Sequence, residues 1–348
     1  MITTVSTATA QLLTRATIGR LQSELSRAQQ ELSSGRHSDI GLALGYRSGA
    51  DASLRAQIAT KDALIASDNY LTARFGAVDD TLGAMTKVAQ SLQQALLSTN
   101  AGGADASTIG EQAKAALKQV VSLANTTFDG SYLFAGLSND GSPLNDVSFD
   151  TADGPGAAVN EAFQARFGAR PGDSATSAVS GADMQSFLDT EFTQLFNPGN
   201  WATLWAHATD NTGESWISES LSLTSSATAA SPAMRDLMKS LTMLAGLGLP
   251  ALGADARSAV VAQATSALGQ SIQKLTDLSS DVGLKKALVQ DANDELQAQK
   301  VQLQNRLSDI ESVDTAEVSV RLSTLSTQLQ ASYQTTAKLA NLSLVNFI

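Results

Sequence analysis

The stretch that decides the fold is LIASDNYLTARFGAVDDTLGAMTKVAQSLQQAL, residues 64–96. Its apolar side chains recur in alternating steps of four and three residues, and only Asp68 interrupts the series. A repeat of this kind without proline predicts one long α-helix that buries a narrow stripe in a coiled coil. The stripe consists of Leu64, Leu71, Phe75, Val78, Leu82, Met85, Ala89, Leu92 and Leu96.

The sequence on both sides of this stretch favours further helices. Upstream, residues 18–32 repeat the same steps, and Gly35 is the predicted helix end. Downstream, residues 100–105 contain two adjacent glycines and predict a turn. Residues 109–124 predict a helix that returns along the first one.

The carboxyl end of the chain carries matching stripes. Apolar residues spaced by sevens predict a helix from residue 256 to about residue 282. Residues 296–310 keep one apolar frame, and residues 322–339 keep another that is offset by about one residue. The offset predicts a stutter or a local unwinding of the helix near residues 312–315.

The middle of the chain has a different composition. All six prolines and all three tryptophans lie between Pro143 and Pro250, where long helices are disfavoured. Residues 135–250 carry 13 acidic and four basic side chains, a net charge of −9, whereas the flanks together carry only −2. The predicted segments are an N-terminal helical arm (1–135), a central acidic outer domain (136–250) and a C-terminal helical arm (251–348).

Two arms at opposite chain ends, each with an apolar stripe, can bury both stripes against each other. The predicted fold class is mainly α with an inserted α+β domain, in which both termini form an antiparallel helical coiled-coil bundle. A monomeric bundle without a partner chain is the alternative, but it would favour three apolar positions per heptad instead of two. The apolar residues at the C-terminal end would be exposed to water in a monomer, so we expect them to contact neighbouring subunits. The predicted seam residues are Leu21, Leu25, Leu32, Leu325, Leu329 and Leu339, and the predicted subunit contacts are Leu344, Phe347 and Ile348.

The charge and the side-chain inventory argue against several classes of protein. A net charge of −11 over 348 residues disfavours binding to nucleic acid through a basic face. The chain has no cysteine and only two histidines, His37 and His207, so we expect neither disulfides nor a histidine-rich metal centre. We also expect no cofactor, no membrane contact and no cleaved secretory signal.

Side chains that could serve catalysis or sugar binding are each better explained by ordinary structure. Asp79-Asp80 and the carboxylates within residues 291–295 are typical of solvated helix faces. His207 lies near Asp210 but has no nucleophile motif beside it, so we expect no general base there. Asp129-Gly130 predicts a turn before a strand. The tryptophans are expected in the core of the central domain, with a sugar-binding patch as the alternative. They are Trp201, Trp205 and Trp216.

Three motifs carry a family resemblance. They are LSRAQQELSSGR (residues 25–36), ANTTFDGSYLFAG (124–136) and LQASYQTTAKLANLSLVNFI (329–348). In this order they resemble the first helix, the passage from helical core to outer domain, and the closing helix of bacterial flagellins and hook-associated proteins. The resemblance covers roughly residues 1–137 and 255–348, and the middle of the chain has no matching motif.

The resemblance implies a flagellin-like fold and a structural role without enzyme activity. It is nearer to the members at the junction of hook and filament, because residues 37–45 depart from the usual flagellin pattern. The implied partners are sister copies in a helical layer, hook-associated protein 1, flagellin, the filament cap and an export chaperone. The implied location is the extracellular flagellum, reached uncleaved through the flagellar type III system.

Three other functions stay open at this point. The chain could be a flagellin or minor flagellin that builds the filament itself. A coiled-coil signalling protein of the chemoreceptor type would need a membrane anchor or an output domain, and neither is recognisable. An enzyme would need an active site within residues 140–240, where His207 and Asp210 lie.

Overall fold

The structure is a computed structural model that describes residues 7–99, 106–138, 141–224 and 227–345, with side chains between residues 12 and 338. The chain divides into two compact units. The first comprises the described parts of 1–63 and 297–348, and the second comprises those of 64–296.

Helices dominate the described residues. They are α1 (Thr7–Ser34), α2 (Ile40–Leu44), α3 (Ser48–Thr99), α4 (Ala106–Ala124), α5 (Pro155–Phe167), α6 (Gly181–Phe187), α7 (Pro198–Asn200), α8 (Pro232–Gly246), α9 (Ala254–Glu311) and α10 (Thr315–Val345). The strands form two antiparallel hairpins, β1 (Thr127–Phe128) with β2 (Ser131–Tyr132), and β3 (Glu214–Trp216) with β4 (Ser222–Thr224). Long helices with a few short strands confirm the predicted fold class. None of the helices in this description is both long and apolar enough to cross a bilayer.

The second unit is built on the stripe of residues 64–96, which lies inside α3 as predicted. Leu82, Met85 and Leu96 are completely buried. The helix predicted for residues 109–124 is confirmed as α4, which packs against α8. The turn predicted for residues 100–105 lies outside the described residues.

The course of α9 corrects one predicted boundary. The helix expected to end near residue 282 continues to Glu311. Val282, Val289 and Leu296 are all at most 3% exposed, because the sevenfold spacing carries the buried stripe onward. The break predicted near residues 312–315 is confirmed, since α9 ends at Glu311 and α10 begins at Thr315.

Aromatic side chains fill the core of the central segment, as predicted for two of the three tryptophans. Trp201 and Trp205 are both 1% exposed and stack with ring centroids 5.7 Å apart. Their indole N–H groups donate to the carbonyl oxygens of Ala229 and Leu195 at 3.1 and 3.0 Å. The core position predicted for the third tryptophan, however, is wrong.

Trp216 is 54% exposed on β3, whereas the next residue, Ile217, is completely buried. Successive side chains along an extended backbone point to opposite faces, so only one of the two neighbours can enter the core. The aliphatic side chain of Ile217 occupies that position.

The turn predicted at Asp129-Gly130 is confirmed. It joins β1 to β2, with φ of 50° at Asp129 and 77° at Gly130. Positive φ at both central residues is the requirement of the two-residue hairpin turn that matches strand twist. Asp and Gly are among the residues that tolerate this backbone conformation best.

Candidate assembly surface

An apolar seam joins α1 and α10 in the first unit. Leu21 and Ala28 of α1 and Val318 and Leu325 of α10 are buried in one cluster, each at most 7% exposed. The structure therefore brings Leu21 and Leu325, two of the six predicted seam residues, into one cluster. Partly buried side chains packed against the cluster are Leu25, Val313, Leu322 and Leu329.

Polar contacts at the two ends of the seam show that the helices run antiparallel. The side-chain amide of Gln22 donates to the Tyr333 hydroxyl at 2.8 Å. Arg321 lies 3.5 Å from the carboxylate of Glu31. Arg321 precedes Tyr333 by twelve residues on α10, whereas Glu31 follows Gln22 by nine residues on α1, so the two helices run in opposite directions. The chain ends thus form a helix pair with a fixed register.

Leu32 lies outside this seam, with 37% of its surface exposed. The inward position near the end of α1 is occupied instead by Glu31, which is only 9% exposed. An α-helix advances 100° per residue, so these neighbours cannot both face α10. The other predicted residues fall outside the description, which omits the side chains of Leu339 and Leu344 and all of Phe347 and Ile348.

Glu31 ties the loop after α1 to the seam. Its Oε1 accepts hydrogen bonds from the backbone N–H and the hydroxyl of Ser38 at 3.2 and 3.3 Å. The His37 Nδ1 lies 4.0 Å from the same oxygen. Together with Arg321 on the other oxygen, these contacts give a nearly buried carboxylate the polar partners that it needs.

The loop after α1 also pairs with the break between α9 and α10. The N–H of His37 donates to the carbonyl of Glu311 at 2.9 Å, and the N–H of Val313 donates to that of Gly35 at 3.0 Å. Arg36 and Ser312 form an antiparallel bridge between these two bonds. Two interruptions in helical structure therefore satisfy each other's backbone groups.

A buried carboxylate at the end of α9 lies beside this pairing. The Glu311 side chain has no exposed surface and binds Arg55 through Oε1, while Arg36 Nη1 lies 3.1 Å from Oε2. Arg55 Nε donates to Asp51 at 3.0 Å, and this hydrogen bond raises the pKa of the guanidinium. Sequence reasoning missed this cluster, because no local spacing connects residues 256 positions apart.

The outer faces of the seam helices carry exposed apolar side chains. Leu12 and Leu13 of α1 are 67% and 62% exposed, and Val320 of α10 is 68% exposed. The helix pair therefore combines a narrow buried seam with exposed apolar side chains on its outer faces.

The motif of residues 132–136 has a geometry of its own in the second unit. Leu133 and Phe134 are at most 3% exposed. Gly136 has φ of 68°, and a Cβ there would lie 2.3 Å from the carbonyl oxygen of Thr209. Arg74 of α3 donates to the carbonyl of Tyr132 at 3.2 Å. The motif thus fixes the start of the central segment against α3, and its last position requires glycine.

The residues considered for catalysis lie apart from any site. His207 and Asp210 are exposed, and so are Asp80 and the carboxylates at 291, 294 and 295. Within the described ranges, no group of three or more histidine and acidic side chains could hold a metal ion.

Comparisons with known proteins place the two chain ends in one family. Residues 5–139 match the model of the bacterial flagellin N-terminal helical region, and residues 265–348 match that of the C-terminal helical region. A solved structure similar to the chain is that of a protein from Vibrio parahaemolyticus assigned as flagellar hook-associated. The identity is 11% and the TM-score 0.39, over 77% of this chain and 94% of that one. No curated protein matches the chain.

Proposed function

This chain belongs to the bacterial flagellin family, and from that premise we propose that it is hook-associated protein 3, the subunit that joins the hook to the filament. The family is structural, and its members self-assemble into the extracellular flagellum. The proposal concerns the place of this chain within that polymer.

The seam between α1 and α10 is the observation that carries an assembly role. Among the described side chains of α1 and α10, the buried apolar cluster consists of Leu21, Ala28, Val318 and Leu325. A buried aliphatic side chain contributes about 1.5–3 kcal/mol, and ordering each residue costs about as much. Contact with neighbouring copies would cover exposed side chains such as Leu13 and Val320 and offset the cost of ordering both chain ends.

Two sequence features favour the junction over the filament. Residues 37–45 differ from the flagellin pattern, and in the structure they hold α2 and part of the loop that Glu31 ties to the seam. The motif of residues 132–136 and the last residues, 344–348, resemble the junction members more than flagellin. Flagellin or minor flagellin is the alternative function.

The proposed partners follow from the junction role. Hook-associated protein 1 would lie on one side of a layer of sister copies, with flagellin or the filament cap on the other. We propose that the arms 1–135 and 251–348 form the helical layers and that the acidic segment 136–250 faces solvent. Export would use the flagellar type III system with a chaperone.

Deletion of the gene tests the junction role. Swimming cells that lack it are expected to build hooks without filaments and to shed flagellin into the medium, because the filament has no layer on which to start. Electron microscopy of the cells and immunoblots of the medium measure both results, and the restored gene serves as the control. Loss of the filament with an intact junction, or a normal filament, would contradict the junction role and favour a major or a minor flagellin, respectively.

A further inference from the structure

The hairpin of β3 and β4 turns one of its faces to solvent. In its register Trp216 lies opposite Ser222, and Glu214 lies opposite Thr224. Alternate side chains of a strand share a face with the residues opposite them, so these four lie together and form what we call the hairpin face. Three of them are exposed and only Ser222 is half-buried, whereas Leu223 on the other side of the hairpin packs against the core.

The hairpin face is free to bind a ligand. Its four side chains make no hydrogen bond, ion pair or ring contact with any other residue that the structure describes. The buried tryptophans differ, because the indole N–H groups of Trp201 and Trp205 both donate to backbone carbonyls. The hairpin face therefore combines a flat apolar ring that is 54% exposed with a carboxylate and two hydroxyls that have no partner among the described residues.

This combination matches the chemistry of a pyranose sugar. A pyranose with equatorial hydroxyls presents its axial C–H groups as an apolar face, which stacks on the electron-rich face of an aromatic ring. Its hydroxyls project from the ring edge and can donate charge-assisted hydrogen bonds to a carboxylate. Glu214 and Trp216 are two positions apart, about 6–7 Å along the strand. A sugar that stacks on Trp216 therefore brings its hydroxyls within reach of Glu214.

The charge around the hairpin limits which sugars can bind. Residues 208–234 contain Asp210, Glu214 and Glu219 but no lysine or arginine. The whole segment 135–250 carries 13 acidic and four basic side chains. A surface of this charge repels uronic acids, sialic acids and phosphorylated sugars. It accepts neutral pyranosides and attracts those that carry a protonated amino group.

We propose that the hairpin face binds glucose-type pyranose units of a neutral or amino-bearing glycan. The indole of Trp216 stacks on the C–H face of the sugar, and the Glu214 carboxylate accepts hydrogen bonds from its hydroxyl or ammonium groups. The hydroxyls of Ser222 and Thr224 supply further polar contacts at the edge of the ring. The site is open to solvent, so the Kd of a single copy is expected to be on the order of 1 mM. This binding does not depend on the place of the chain in the flagellum.

Saturation-transfer NMR of the full-length protein with three β-1,4-linked trisaccharides tests this site. The probes are cellotriose, which is neutral, the glucosamine trimer, which is cationic, and the glucuronic acid trimer, which is anionic. Transfer is expected to the first two, strongest at the C–H protons of the apolar sugar face, and at roughly a tenth of that level to the third. Trp216→Ala is expected to weaken binding at least about tenfold, and Glu214→Ala about threefold to tenfold.

Leu221→Ala is the matched control, because this leucine is 44% exposed in the turn of the same hairpin but lies outside the hairpin face. It is expected to bind as the unmodified protein does, and the fluorescence of buried Trp201 and Trp205 checks that each variant is folded. Equal binding by folded Trp216→Ala and the unmodified protein would overturn the site. So would preference for the glucuronic acid trimer, or no transfer to any of the three probes. The junction role is tested separately by deletion of the gene, so its failure and the failure of this site are distinguishable.

Discussion

Replacing Asp68 by asparagine is expected to raise the free energy of unfolding at about pH 7.5 by about 2 kcal/mol. Asp68 is completely buried in α3, and neither of its carboxylate oxygens has a hydrogen-bond partner among the described residues. Burial raises the pKa of Asp68 from 3.8 to about 6. The ionised side chain therefore costs the folded protein up to about 3 kcal/mol at neutral pH, part of which the buried amide of asparagine would retain.

The pH dependence has a defined sign. Above the folded pKa of about 6, the side chain is ionised in both states and the full cost is present. As the pH falls towards 3.8, the folded state binds a proton before the unfolded state does. The destabilisation caused by the buried ionised carboxylate therefore disappears. The difference between Asp68→Asn and the unmodified protein is thus expected to shrink between about pH 6 and pH 4.

Urea unfolding followed by tryptophan fluorescence measures this effect, because Trp201 and Trp205 are buried in the same unit as Asp68. The matched control is Asp80→Asn, an exposed carboxylate on the same helix, with an expected change below about 0.5 kcal/mol. Equal stability of Asp68→Asn and the unmodified protein at neutral pH would show that the carboxylate has a partner or is solvated.

Replacing Arg55 by methionine is expected to destabilise the first unit by about 1–3 kcal/mol. Among the described residues, the change leaves Arg36 as the one cation beside Glu311, whose side chain has no exposed surface. It also leaves Asp51, which is 7% exposed, without its hydrogen bond from the guanidinium. Two buried carboxylates that lose a shared cation incur a large desolvation cost.

Removing the carboxylate instead of the cation should cost less. Arg36 and Arg55 keep 56% and 49% of their side-chain surface exposed, so water can solvate them when Glu311→Gln removes the charge. The double variant Arg55→Met with Glu311→Gln is therefore expected to be more stable than Arg55→Met alone. Amide hydrogen exchange along residues 297–311 and 48–63 measures these differences, with exposed Arg47→Met as the control. Equal exchange in Arg55→Met and Arg47→Met would refute the account of this cluster.

Periodic features of the fold could be predicted from the sequence because they depend on local spacing. The stripe of α3, the returning helix α4 and the break between α9 and α10 all follow from where apolar residues recur. The pairing of the chain ends could be predicted because each end carries an apolar stripe and neither stripe has a partner nearby in the sequence. At the end of α1, however, spacing alone selected Leu32, whereas the hydrogen-bonding loop at Ser38 places Glu31 inward.

Features that depend on distant residues could not be predicted. The cluster of Arg36, Arg55 and Glu311 forms only after the chain ends meet. Asp68 interrupted the stripe visibly, but its sequence neighbours do not indicate whether it turns outward or stays in the core without a partner. Nor could they indicate that Ile217 rather than Trp216 would enter the core of the central segment.

Replacing a seam residue by a charge tests the central claim most directly. Leu325→Asp places a carboxylate in the buried cluster of α1 and α10, whereas Ser326→Asp places the same side chain on the exposed surface one residue later. Polymer formation by the purified full-length variants is measured by sedimentation and electron microscopy, and tryptophan fluorescence checks that the second unit is folded. If paired chain ends carry assembly, Leu325→Asp abolishes the polymer and Ser326→Asp retains it. Normal polymer from Leu325→Asp would contradict the account.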